Sequence, residues 1–395
     1  MTARKRALLI VPILFASISR GEASEPPKEE DFVDDRNHKW IYLGEAETTT
    51  EMEPESEASS QFDLVWDREE LARSMRLTMN DRGFVYVMEE DPYDLAEEVL
   101  EKINLGFEPV SEPSQAAESV ESVEPTHIFG SESRRLVRAN TVYPFSPHIN
   151  FNSGCSATLV APGVGWTAGH CVFNANTRRW VAFSARPGAD SQDATQFPFG
   201  SIQSTCIRMF VPQQRTQGDN DVAFDWALLD FTNCPAPASS VPRPWTAGRP
   251  GESTGFFGQW AAHDGHLNSS SVAFYVYGYP SAECPPGGCQ WPSIFGHGSR
   301  WKGTKSRTEL KYRVDVTGGQ SGSAVYRFDG WGNRYVIGIH KGGSWDLFHG
   351  GEHNRGRRMS PELVFISGLI PRILGAPVDA IPTLSWRWTG NGAWD

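Results

Sequence analysis

Val316-Thr317-Gly318-Gly319-Gln320-Ser321-Gly322-Ser323 sets a serine among glycines, and the reading of that serine decides the fold. Glycine and serine are ordinary turn residues, so a tight turn accounts for the composition by itself. The stretch has a second use. Glycines let successive backbone N–H groups converge on one point, where they can hold the oxygen that turns negative when Ser321 attacks a carbonyl. A serine hydroxyl is a weak nucleophile at neutral pH and needs a base, and the base needs a group to orient it. The chemistry open to Ser321 depends on what the rest of the chain supplies.

Two other stretches supply candidates. Gly165-Trp166-Thr167-Ala168-Gly169-His170-Cys171 carries His170, and Asp221-Val222-Ala223-Phe224-Asp225-Trp226-Ala227-Leu228-Leu229 carries Asp225. His170, Asp225 and Ser321 follow one another 55 and 96 residues apart. His, Asp, Ser is the order of the chymotrypsin-like branch among the unrelated triad folds. Taken together, TAGHC, DWALL and GGQSGS resemble the trypsin-like serine endopeptidases, and in particular their glutamyl endopeptidase group. The resemblance covers most of residues 127–372. Ile128-Phe129-Gly130-Ser131, Arg138-Ala139-Asn140-Thr141 and Tyr143-Pro144 are similar to that group's mature amino terminus. Tyr312 to Ser323 is similar to its nucleophile segment, and Asn354-Arg355-Gly356 with Arg358 and Met359 to the stretch before its final helix.

The resemblance implies roles. Ser321 would be the nucleophile, His170 the base, and Asp225 the group that fixes the histidine tautomer, with the N–H groups of Gly319 and Ser321 as oxyanion hole. Asp219 and Asp221 are rivals for the acid. They read better as solvated turn residues, whereas the apolar run after Asp225 marks a buried strand end. Gln320 stands where trypsin-like zymogens keep an acid for their new amino terminus, so that switch is not expected. The glutamyl endopeptidases lack the acid too, and in them the new terminus helps form the specificity pocket. His340 matches the histidine that recognises glutamate in that group. Val316 replaces a hydroxyl residue of the pocket wall, and Asp315 falls where trypsin keeps its acid for basic side chains. The expectation is cleavage after acidic residues, with cleavage after basic residues as the alternative.

The chain opens on Arg4-Lys5-Arg6, an apolar run from Ala7 to Ala16, and small residues up to Ala23. That run is too short to span a bilayer, and residues 1–23 read as a secretory signal. Net charge is −12, but 30 acidic and 8 basic residues fall between Glu22 and Pro125, which leaves the remainder basic. Residues 24–127 are expected to be an acidic propeptide that covers a basic domain, with attraction limited by screening. Within it, Thr48 to Ser60 and Glu108 to Thr126 read as linkers too polar to pack. Gly83 to Met88 has strand composition. A helix is expected to open at Asp91-Pro92-Tyr93-Asp94, with Leu95, Val99 and Ile103 on one face. From Ile128 short apolar runs alternate with turn residues, the pattern of an all-β protein. The expected fold is two packed six-stranded β-barrels, chymotrypsin-like, over residues 128–375. A C-terminal helix is expected after Ser360-Pro361-Glu362 with Leu363, Ile366, Leu369 and Ile370 on one face. In the tail, 376–395, Trp386, Trp388 and Trp394 are expected to pack on the barrel.

Six cysteines suit an exported protein with three disulfides, for which fifteen connectivities exist. The resemblance implies a Cys155–Cys171 bridge. Cys284 and Cys289 enclose a short loop, and Cys206 and Cys234 remain as a pair. No metal site or cofactor is expected. His349-Gly350-Gly351-Glu352-His353 fits a metalloprotease pattern, but that chemistry needs a helix and two glycines oppose one. Asn268-Ser269-Ser270 is a possible glycosylation sequon. The expected product is a secreted monomer acting on proteins or peptides, inhibited by its own propeptide, without nucleic acid or membrane anchor. A rival reading is a non-catalytic adhesion or regulatory protein that retains the fold, and a third is an esterase or transferase using the same residues.

Overall fold

Short apolar runs separated by turn residues dominate the chain, and strands outnumber helices accordingly. The computed structural model describes residues 29–53, 67–105, 107–114, 134–190, 196–281, 292–300, 302–304, 306–329, 332–346 and 351–388. The fold is all-β and mainly antiparallel, with two large sheets and a C-terminal helix. Among the described residues each large sheet holds eleven strands rather than the six expected per barrel. The acidic segment accounts for part of the difference, adding four strands to the first sheet and one to the second.

In the first sheet, Leu77–Asp81 pairs along all five residues with Arg208–Pro212. On its other side it pairs with Phe84–Met88, which pairs in turn with Lys39–Glu45. Every residue of Leu77–Asp81 is buried, as befits a strand with neighbours on both edges. Beyond Arg208–Pro212 the sheet continues through Ala227–Asp230, Val164–Thr167, Cys155–Ala161 and His148–Phe151. In the second sheet Phe107–Ser111 lies between Gly258–Trp260 and Leu384–Trp388 and pairs with both.

Two expected linkers are therefore partly folded. Thr48–Thr49 pairs with Arg179–Val181, and Glu53 is buried. Glu108 is buried because Trp260 Nε1 and the His263 N–H donate to its carboxylate, at 2.8 and 3.0 Å. A carboxylate that accepts such bonds can be buried at tolerable cost. The remainder of both stretches lies outside the described residues, as do residues 1–28, Cys284, Cys289, His349 and Trp394.

The two expected helices form, and a third, Arg68–Ser74, was not expected. Arg68–Ser74 is capped by Asp67, whose carboxylate accepts from the Glu70 N–H at 2.8 Å. The next helix is Tyr93–Asn104, so Pro92 caps it instead of occupying its first turn. Leu95, Val99 and Ile103 are buried as expected. The C-terminal helix Pro361–Ile373 differs from expectation: nearly all of it is buried, not one face. The acidic segment supplies the second cover, since Tyr93–Asn104 and Phe107–Ser111 both contact it, and so does Leu384–Trp388.

Two apolar clusters result. In the first, Trp40, Leu71, Met79, Leu95 and Val99 of the acidic segment pack with Phe210, Leu228, Ile366 and Ile370. The second gathers Val110 of that segment with Trp260, Phe274, Leu310 and Ile337. Each fully buried side chain of this size contributes about 1.5–3 kcal/mol.

Candidate active site

Strand register brings the first two candidate residues together. Thr167 ends its strand opposite Ala227. His170 lies just beyond Thr167 in a turn over Gly169–Cys171, and Asp225 lies just before Ala227 at the end of a turn over Val222–Phe224. The Asp225 carboxylate accepts from the His170 backbone N–H at 2.8 Å through Oδ1 and faces His170 Nδ1 at 2.9 Å through Oδ2. The imidazole is thereby fixed at both its backbone and its ring.

Asp225 is buried. Burial by itself would raise its pKa, but His170, Arg215 and Lys341 outweigh it and hold the carboxyl well below the usual carboxylate range. Arg215 Nη1 lies 3.8 Å from Oδ1 and Lys341 Nζ 3.7 Å from Oδ2. The two rival acids serve the local backbone. Asp219 accepts from the Asp221 N–H at 2.9 Å, and Asp221 accepts from the Ala223 N–H at 2.8 Å.

Ser321 belongs to the other sheet, in the turn before Ala324–Phe328. Ser156, which follows Cys155 on its strand, anchors it to the first sheet. Its N–H donates to the Ser321 carbonyl at 2.8 Å and its hydroxyl to the Gly319 carbonyl at 2.9 Å. Ser321 Oγ is buried and donates to the Lys341 carbonyl at 2.9 Å. Gly319 has φ of 95°, and a Cβ there would lie 2.3 Å from the Ser281 nitrogen, so only glycine fits. Gln320 is buried with its amide satisfied: Oε1 accepts from the Thr317 N–H at 2.9 Å and Nε2 donates to the Phe295 carbonyl at 3.0 Å.

Cys155 and Cys171 are bridged, as are Cys206 and Cys234. The first bridge joins the histidine turn to the strand that carries Ser156, and Cys171 Sγ lies 3.6 Å from the Ser321 carbonyl oxygen. Reduction is expected to lower activity before it unfolds the protein, because it loosens His170 against Ser321 while the sheets remain paired. Activity and tryptophan fluorescence followed through one dithiothreitol titration would check this. Loss of both signals at the same reductant concentration would contradict it.

His340 is buried beside this centre. Its N–H donates to the Ser323 carbonyl at 2.8 Å, and its Nδ1 lies 2.7 Å from the Tyr312 hydroxyl. Burial and the neighbouring His170 push its pKa down to about 3, so the ring is neutral near pH 7. The Asp315 N–H donates to His297 Nδ1 at 3.2 Å, and Val316 packs on the second apolar cluster. Buried Arg134 reaches the adjoining residue, its Nη1 donating to Thr317 Oγ1 at 2.5 Å. Ser156, Arg215, Lys341 and Arg134 went unnoticed in the sequence, and Tyr312 was named only as the start of the nucleophile segment. Only Ser156 and Lys341 carried a signal, as neighbours of Cys155 and His340.

No family model matches the chain. It is similar to a glutamyl endopeptidase of Bacillus licheniformis, 26% identical over 259 residues that span 64% of this chain and 69% of that protein. The chain is similar in sequence to a glutamyl endopeptidase. It is also similar to a Bacillus subtilis protein named an extracellular metalloprotease, 24% identical over 267 residues, 63% of this chain and 71% of that one. A solved Glu endopeptidase bound to MPD covers 60% of the chain at 22% identity and a TM-score of 0.44, with 96% of its own length matched. The name of the Bacillus subtilis relative raises the question of metal ligands in this chain. Among the described residues Cys155, His170 and Cys171 form the one group with ligand spacing, and the two sulfurs are bonded to each other. Glu352 and His353 of the HxxEH match sit on the strand Gly351–Arg358, so the helix that motif requires is not there. No helix among the described residues is long and apolar enough to cross a membrane.

Proposed function

We propose that the chain is a secreted serine endopeptidase that works through Ser321, His170 and Asp225, prefers an acidic residue before the cut bond, and is made as a precursor. The observation that supports this most is the double engagement of Asp225 with His170. That contact places a proton on Nδ1 and leaves Nε2 as the base. In the proposed reaction Ser321 Oγ attacks the substrate carbonyl and its proton passes to His170 Nε2. The N–H groups of Gly319 and Ser321 hold the oxyanion, and His170 returns the proton to the leaving amine. Water then repeats the sequence on the acyl-enzyme. Labelling by a fluorophosphonate tests the reading. A folded protein that does not react would be a non-catalytic member of the fold.

His340 supports the acidic preference in a particular protonation state. The Tyr312 hydroxyl has one proton and two neighbours, His340 Nδ1 and the Arg355 carbonyl at 3.2 Å. When that proton goes to Nδ1, the ring carries its own on Nε2, the donor a substrate carboxylate needs. A neutral ring brings no charge, so a cation must come from elsewhere. We assign that part to a new amino terminus made by cleavage between Glu121 and Ile128, near Arg134. An α-amino group with a pKa of about 8 is charged at neutral pH. Preference for glutamate over neutral residues is expected to weaken as pH rises through that value. Extending the terminus by a few residues is expected to depress cleavage after glutamate much more than reaction with a fluorophosphonate. Profiling on a mixed peptide library, with amino-terminal sequencing of the active form, checks both. A glutamate preference indifferent to terminus and pH would remove the assignment.

A further inference from the structure

The acidic segment reaches the catalytic centre through a short helix behind Asp225. Gln213–Thr216 follows directly on Arg208–Pro212, the strand that pairs with Leu77–Asp81. Acidic-segment residues bond to every position of that helix. The Gln213 N–H donates to the Arg76 carbonyl at 3.0 Å, and Gln214 Nε2 to the Arg73 carbonyl at 2.8 Å. Thr216 Oγ1 lies 3.2 Å from Thr78 Oγ1. Arg215 Nη2 pairs with the Glu53 carboxylate, whose same oxygen also accepts from the Ala175 N–H at 3.2 Å. Arg215 and Glu53 are both buried.

The charges explain why that pair matters. Around Asp225 lie Arg215 and Lys341, two cations against one carboxylate. Glu53 brings the buried group to neutrality. Without it, a net positive charge would sit in a low-dielectric region beside a histidine that has to become cationic during the reaction. The groups that face His170 are then Asp225, the Arg215 and Lys341 cations behind it, and the neutral His340.

We propose that the acidic segment, residues 29–114, is a permanent part of the catalytic unit, with Glu53 as a positioning residue that holds Arg215 and through it Asp225. This rests on the triad reading given under the proposed function. It differs from a discarded inhibitor in a way the fold supports at three places. The segment covers the edge of Arg208–Pro212 in the first sheet. It supplies Phe107–Ser111, the only sheet partner of Leu384–Trp388 among the described residues. It shares one apolar cluster with the C-terminal helix. Stripping it away would expose strand edges and buried apolar surface together, the features that drive aggregation. Cleavage between Glu121 and Ile128 would yield two chains that remain associated.

Two experiments on the full-length protein test this. In the first, a specific protease site is inserted between Glu121 and Ile128, the protein is cut, and the products are passed over a sizing column in 1 M salt. The two pieces are expected to elute together and to hydrolyse peptides. Release of the acidic piece with activity unchanged or increased would overturn the proposal and make the segment an inhibitor. In the second, Glu53→Gln is expected to lower kcat roughly tenfold, in line with coupling inside one buried charge network. KM should change little. Removing a negative charge disfavours the imidazolium, so the acid limb of kcat/KM should move to lower pH, and Glu53→Asp should recover part of both effects. A loss of activity with no movement of that limb, or with KM alone affected, would reduce Glu53 to a structural role and overturn its positioning part. Should Glu53→Gln fail to fold, the co-elution experiment, which leaves Glu53 and its partners unaltered, still decides whether the segment stays, and Glu53→Asp decides the positioning part. Fluorophosphonate labelling of the cut protein separates the two readings. A labelled enzyme that has shed its acidic piece sinks only this proposal, whereas an unlabelled, still associated protein sinks the protease mechanism.

Discussion

Ser321→Ala is expected to lower peptide hydrolysis by roughly six orders of magnitude while the protein keeps its fold. The size of the effect follows from what the hydroxyl does. Without Oγ no acyl-enzyme forms, and what remains is the stabilisation that the oxyanion donors and substrate binding give to direct attack by water. The folded state should hardly notice. Ser321 Oγ donates to the Lys341 carbonyl, a bond worth about 1 kcal/mol. The contacts that place the loop, from the Ser156 N–H and hydroxyl to the Ser321 and Gly319 carbonyls, involve no part of the Ser321 side chain. The measurement is kcat/KM on a peptide with unchanged thermal melting as control. Retention of more than about a thousandth of wild-type activity would move the nucleophile elsewhere.

The parts of the chain that local sequence controls were legible, and the parts fixed by distant partners were not. His170 and Asp225 each lie within three residues of a strand end, and those strands are neighbours in register. Motif order alone was enough to pair them. The cysteines showed that disulfides would form, but the Cys155–Cys171 pairing came from the resemblance and Cys206–Cys234 remained as a pair. Glu53 and Glu108 are the opposite case. Both sit in stretches rich in proline, glutamate and serine, and composition describes the average solvation of such a stretch. It is blind to one carboxylate whose partner lies 162 residues away in Arg215, or 152 away in Trp260. The C-terminal helix was misread for a related reason. Its periodic face was correct, but its other face is covered by elements that the composition had assigned to a removable piece. Edge pairing in sheets is a long-range property, and residue content records it poorly.

Asp225→Asn is expected to lower kcat about ten-thousandfold at neutral pH. The geometry gives the reason. Oδ1 accepts from the His170 backbone N–H, so the asparagine oxygen would remain there and its NH2 group would face Nδ1. An NH2 group only donates, which forces Nδ1 to accept and moves the ring proton to Nε2. His170 would then present a proton to Ser321 instead of a lone pair. The substitution has a second consequence, in stability, that distinguishes it from Ser321→Ala. Lys341 and Arg215 would lose the carboxylate between them, although Arg215 would keep Glu53. A buried charge deprived of its partner is commonly destabilising by about 3–5 kcal/mol. The pH dependence has a defined sign. Asp225 titrates below its usual value in the folded protein, so its contribution to stability is complete above the unfolded pKa of about 3.9 and is lost as pH falls through the lower folded value. The wild type should therefore lose stability on acidification in that window, and Asp225→Asn should lose less there from a lower starting point. Melting temperature measured against pH for both proteins, beside kcat at neutral pH, tests the two effects separately. If kcat were preserved, the orienting acid would have to be sought at Asp221 or Asp219, whose carboxylates now serve the turn between Asp219 and Ala223.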